Sequence, residues 1–143
     1  MQSYTQEDIV EMIKSHDLKY TEHRYAVLYR VAKSKTPIGV QKIIEDLQKK
    51  YHIDTATVYR NLKSLEEAGL INKFDFNTGY AYYELATDEV VHKIICNTCQ
   101  NIEKVSGVVF DEALKKVIRK SKKFNTTSYA TITVYGYCKN CVK

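Results

Sequence analysis

The sequence predicts an α+β fold in two parts. Residues 1–85 read as a winged helix-turn-helix domain, and residues 86–143 as a small α/β domain stapled by four cysteines. Three observations carry that prediction. Helical periodicity runs with short breaks from Thr5 to Leu70. After Gly69 the period shifts from about 3.6 residues to about 2, around a turn at Asn77-Thr78-Gly79. All four cysteines fall into two C-x-x-C pairs, Cys96/Cys99 and Cys138/Cys141.

Taken in order, Thr5 and Asp8 form a T-x-x-D cap that opens a first helix to His16, with Ile9, Met12 and Ile13 as its apolar stripe. Thr21 caps a second helix from Glu22 to about Lys33, whose expected buried side is Tyr25, Leu28, Tyr29 and Ala32. Ser34–Gly39 reads as a turn around the only proline, Pro37. A third helix spans about Val40 to Tyr51, with Ile43, Ile44 and Leu47 inward. The loop His52-Ile53 leads into Asp54–Leu70, DTATVYRNLKSLEEAGL, which has an N-cap at one end and Gly69 at the other. Val58, Leu62 and Leu65 mark one buried face there, and Thr55, Thr57, Tyr59, Arg60 and Lys63 lie mostly near its leading end. That is the arrangement of a recognition helix, whose N-terminal residues reach base edges in the major groove. An ordinary amphipathic surface helix has the same pattern. The hairpin Leu70–Asp75 and Tyr80–Leu85 behind it favours the DNA reading.

Beyond the boundary at 86–89, Val90–Ile95 and Asn101–Val105 read as short strands. A helix from Ser106 or Gly107 to about Lys122 carries Phe110, Leu114, Val117 and Ile118 on one face. Its other face is basic from Lys115 to Lys123, most simply a solvated surface. Ser128–Tyr135 alternates Tyr, Thr, Ile and Val and is expected to be the longest strand.

Two thiolates separated by two residues can be offered to one ion by a tight turn, and two such knuckles complete a tetrahedral Zn²⁺ shell. One structural zinc per protomer at Cys96, Cys99, Cys138 and Cys141 is therefore expected. A saturated thiolate shell leaves no open position for hydrolysis, and no nucleophile–base pair or phosphate loop is visible, so an enzyme is not expected. Redox dithiols or disulfides are the competing reading, and a cytosolic setting argues against structural disulfides.

Composition bounds the rest. The 143 residues are 44% hydrophobic, enough for a core, although each half alone is small. No apolar run approaches the roughly 20 residues of a membrane span, and the N-terminus lacks a signal peptide's basic and apolar regions. A soluble cytoplasmic protein is expected, with no membrane partner and no small-molecule substrate. The net charge is +5, yet residues 1–85 are neutral overall and residues 86–143 carry all of it. DNA affinity in the first half must then come from local clustering of cations.

The chain resembles the ferric-uptake-regulator superfamily, which includes peroxide, zinc, manganese and nickel sensors. Lys19-Tyr20-Thr21-Glu22-His23-Arg24 is similar to its L-x-x-T-x-x-R entry to helix two, and Asp54–Leu70 to its recognition-helix signature. Tyr83-Glu84-Leu85 matches the end of its wing, and Cys96–Cys99 and Tyr135–Cys141 match its zinc knuckles. The resemblance implies a homodimeric, usually repressing transcription factor acting on a double-stranded DNA operator. It implies dimerisation through residues 86–143, with a mixed sheet and the Phe110–Lys122 helix at the interface. It assigns Tyr59 and Arg60 to base edges or adjacent phosphates, Lys19 to the minor groove, and Thr55, Thr57, Asn61 and Lys63 to phosphates.

The resemblance breaks at the regulatory metal site. Of five places that hold that site in the family, this chain keeps a carboxylate only at Glu84; the others are Thr36, Val91, Lys93 and Lys104. Sensing of Fe²⁺ or Mn²⁺ in the family's way is therefore not expected. Lys93 or Lys104 is instead expected to pair with Glu84 or Glu103. A relocated site from Glu84, His92 and Glu103 is the residual alternative, and His16, His23 and His52 are expected to be surface or packing residues. Two further readings stay open: a regulator sensing oxidants through its zinc thiolates, and a protein-interaction module that has kept the fold without specific DNA binding.

Overall fold

The computed structural model describes residues 3–127 and 130–142. It divides into two compact units, Met1–Ala86 and Thr87–Lys143. No helix among the described residues is long and apolar enough to cross a membrane.

The first unit opens with α1 (Gln6–Ser15), whose reciprocal capping box joins Thr5 and Asp8. In α2 (Glu22–Ala32) the Thr21 hydroxyl accepts the Arg24 N–H. The buried side of α2 is Ala26, Val27, Leu28 and Val31; of the expected set Leu28 is enclosed, while Tyr25, Tyr29 and Ala32 pack half-buried against the core. Tyr25 and Tyr29 stack on each other at 5.5 Å at the margin of the core. The aliphatic side chains fill the interior, and the two tyrosines pack half-buried against it, with the Tyr25 hydroxyl itself enclosed. The segment expected as a turn around Pro37 contains a two-residue strand, β1 (Ile38–Gly39). Then come α3 (Val40–Gln48) and α4 (Thr55–Glu67), followed by β2 (Ile71–Asp75) and β3 (Ala81–Leu85). The sheet order is β1-β3-β2, all antiparallel, so the hairpin gains a third strand where Ile38 pairs with Tyr83. Gly69, with φ +78°, takes the left-handed step that ends α4 and turns the chain into β2. Side chains from α1 to β3 form one apolar core, in which Ile9, Ile13, Val27, Leu28, Ile43, Val58, Leu62 and Leu65 are fully enclosed.

The second unit contains β4 (Val91–Cys96), β5 (Ile102–Ser106), a 3₁₀ turn at Gly107–Phe110, α5 (Asp111–Arg119) and β6 (Thr133–Gly136). Its sheet is mixed, in the order β5-β4-β6, with β4 antiparallel to β5 and parallel to β6. The last strand is shorter than expected and begins at Thr133; Ser128 and Tyr129 lie outside the described residues. The helix is shorter too, and none of its residues is buried. Leu114 and Ile118 are half-covered, while Val117, expected on the same face, is 64% exposed. A Cβ on Gly107 would lie 2.3 Å from the Val90 carbonyl oxygen, so the turn into α5 requires glycine.

Candidate nucleic-acid interface and metal centre

The leading end of α4 is built by its cap. Asp54 accepts the Thr57 N–H at 2.6 Å, and that bond holds the Asp54 carboxyl below its ordinary range. Val58, Leu62 and Leu65 anchor the helix in the core. This leaves Thr55, Tyr59, Arg60 and Lys63 exposed on the other side. Lys63 also lies 3.9 Å from Glu67 one turn on, a pair too exposed to restrain it much. Arg60 donates through Nη2 to the Thr57 hydroxyl at 2.9 Å.

Asn61 departs from the expected phosphate set. It is only 9% exposed, and its amide donates to the Thr57 carbonyl at 2.9 Å. Four residues before Leu65, it lies beside the buried stripe, a placement the helical spacing already implies.

Lys19 is exposed in the connection before α2. Its carbonyl accepts from Arg24 Nη1, while Arg24 Nη2 reaches the Ser64 hydroxyl on α4 at 3.4 Å. Arg24 therefore ties the Lys19 segment to the recognition-type helix. Sequence reasoning assigned it no role, because Ser64 is forty residues away.

In the second unit the four cysteines converge. The parallel register of β4 and β6 sets Cys96 beside Gly136, and the turns that follow the two strands bring the pairs together. All four Sγ atoms lie within 4.8 Å of one another, with Cys99 and Cys138 at 3.7 Å. A tetrahedron of Zn–S bonds near 2.3 Å separates its sulfurs by about 3.8 Å, so the donor set fits such an ion. The cysteines are unbridged thiols. Backbone N–H groups of Cys99 and Cys138 pull the Cys96 thiol down to about 6. Cys141 donates its S–H to the sulfurs of Cys138 and Cys99, and those bonds, which favour the neutral thiol, push Cys141 up to about 12. The cluster thus already favours one thiolate, and a cation would convert the remainder.

His92, the alternative ligand, is enclosed in the second unit. It is 1% exposed, and both ring nitrogens are engaged. Nδ1 accepts the Ile132 N–H at 2.9 Å, and Nε2 donates to the Gly107 carbonyl at 3.2 Å. Phe110 meets the ring edge-on at 4.7 Å. The imidazole is a clasp joining β4, the 3₁₀ turn and the approach to β6, and it has no lone pair left for a metal. Glu84 is buried in β3 of the first unit, and Glu103 is exposed in β5 of the second. Lys93, itself buried, stands directly across the ladder from Lys104. Among the described residues the metal-competent cluster is the four cysteines.

Comparison with known proteins agrees with this architecture. The family model for the ferric uptake regulator family matches residues 15–135. The ferric uptake regulation protein of Legionella pneumophila is 27% identical over 133 residues, covering 92% of this chain and 96% of that protein. The Helicobacter pylori ferric uptake regulator superposes with a TM-score of 0.82 at 24% identity, covering 99% of this chain and 97% of that one. The Francisella tularensis ferric uptake regulator, solved with iron, gives 0.76 at 27% identity, covering 87% and 94%. With a winged helix, a four-cysteine knuckle and a family match over most of its length, the chain belongs to the ferric uptake regulator family and is a DNA-binding transcription regulator rather than an enzyme.

Proposed function

We propose that this chain is a homodimeric repressor, stapled by one structural Zn²⁺ per protomer, that reads duplex DNA through α4 and takes no Fe²⁺ or Mn²⁺ signal at the family's regulatory site. The observation that carries the DNA reading is the leading end of α4: Tyr59 and Arg60 stand outside while Val58 and Leu62 are fully enclosed. In this reading Tyr59 and Arg60 meet base edges, Lys19 enters the minor groove, and Thr55 and Lys63 meet phosphates. Asn61 is not part of the interface. Four thiolates with tetrahedral spacing support zinc over harder cations. The homodimer is supported by apolar surface on the second unit, where Val108, Val109, Val117, Phe124 and Tyr137 are each more than half exposed.

The absence of an Fe²⁺ or Mn²⁺ response is supported by the ladder. Lys93 and Lys104 put two cations opposite each other where the family uses donors, and Val91 offers no lone pair. His92, the nearest imidazole, is already committed to backbone groups.

Two measurements test this. Selection from a random duplex library should enrich a two-fold-related sequence, and Arg60→Ala should cost about 1–3 kcal/mol on it, the value of one bidentate base contact. Failure to enrich any sequence would leave a protein-interaction role instead. Titration calorimetry of zinc-loaded protein with Mn²⁺, Fe²⁺ and Zn²⁺ should give no tight second site per protomer. A tight second site would overturn the regulatory part alone.

A further inference from the structure

We infer that Thr57 is the positioning residue for Arg60, presetting its guanidinium so that discrimination at one base pair depends on a residue that does not touch the base. This rests on the proposed reading of DNA by α4.

All three polar groups of Thr57 are committed inside the helix. Its N–H goes to the Asp54 carboxylate at 2.6 Å, its carbonyl takes the Asn61 amide at 2.9 Å, and its hydroxyl takes Arg60 Nη2 at 2.9 Å. Asp54, whose carboxylate attracts Arg60, and the bond to Thr57 hold the arginine from the same end of the helix. Residues three apart share a face, so the guanidinium is drawn back along α4 toward its leading end. Arginine has five donors, and spending one on Thr57 leaves enough for a bidentate match to guanine O6 and N7. Part of the side-chain freedom that binding would remove is therefore lost before DNA arrives. Thr57 moves from the set of phosphate candidates to the apparatus that aims Arg60.

The test selects sites from a random duplex library with the wild-type protein, then measures Thr57→Val, Thr57→Ser and Arg60→Ala on the enriched site and on its single-base variants at one salt concentration. Valine keeps the β-branched shape and removes only the hydroxyl. Thr57→Val should lose up to about tenfold in affinity, the scale of one net hydrogen bond, and should flatten preference at the same base pair as Arg60→Ala. Thr57→Ser should restore both. Uniform weakening across all variants with preference intact would overturn the proposal in favour of a phosphate contact. Unchanged affinity and preference in Thr57→Val would overturn it outright. If Arg60→Ala itself leaves the preference intact, the α4 reading fails, which is a separate result from a failure of Thr57→Val alone.

Discussion

The two units are held together by different physics. In the first, aliphatic side chains from four helices and a sheet share one interior, and Ile9, Ile13, Val27, Leu28, Val58, Leu62 and Leu65 are all at 0% exposure. In the second, the buried side chains are few and mixed: Ile95, Cys96 and Ile102 lie with His92 and Lys93, and α5 buries nothing fully. A unit of that size cannot offset its chain entropy with so little apolar burial. Its long-range ties are the sulfur cluster and the His92 clasp. In the proposed reading, the DNA-reading surface therefore rests on a self-sufficient scaffold, and a metal bound by the four cysteines would support the other unit.

That contrast is broken most severely by removing the metal. Binding of a structural zinc is worth about 10–16 kcal/mol in small thiolate sites, comparable to a typical domain's whole stability. Cys138→Ser, or chelation, should abolish hydrogen-exchange protection across β4–β6 while leaving protection of α2 and α4 in place. Survival of β4–β6 protection in metal-free protein would show that the second unit stands on its own packing. Leu62→Ala attacks the other side of the comparison. It should destabilise the first unit by about 2–5 kcal/mol in urea unfolding, with bound metal unchanged by elemental analysis.

His92→Phe sharpens the comparison within the second unit. It keeps a ring against Phe110 but leaves the Ile132 N–H and the Gly107 carbonyl without the imidazole. We expect a loss of about 1–3 kcal/mol confined to that unit's unfolding transition. The finest probe is the proton count on metal loading. Folded Cys96 sits at about 6, below its ordinary 9.0, so it is already a thiolate near neutral pH. Its contribution to stability is present above the ordinary value and lost as pH falls through about 6. Cys141, at about 12, must give up a whole proton. Calorimetry in buffers of different ionisation enthalpy should then find fewer than four protons released per ion near neutral pH, and metal retention should fall on acidification. Release of four would mean that Cys96 is not pre-ionised.

Much of the fold and half of the candidate site were legible from residue order because their causes are local. The Thr5–Asp8 box, the Thr21 and Asp54 caps and the Gly69 exit each act within one or two turns of chain, and each appears where the spacing predicts it. The C-x-x-C pairs are legible for the same reason, since two residues suffice to make a knuckle. What residue order did not reveal depends on partners far along the chain. The two-residue strand at Ile38 exists because Tyr83 lies beside it, and no periodicity can show in so short a segment. The inward face of α2 was settled by which side chains fit the shared core, so Val27 and Val31 went in and the Tyr25–Tyr29 stack stayed at the margin. Arg24 acquires its role from Ser64, forty residues on, and His92 from Ile132, at the same separation. The chain's order determined where the capped helices α1, α2 and α4 begin and which cysteines could share a metal. Long-range packing decided which faces close, and it gave His92, weighed from the sequence only as an alternative ligand, the place of a clasp, because a buried imidazole bonds to whatever polar groups the fold brings to it.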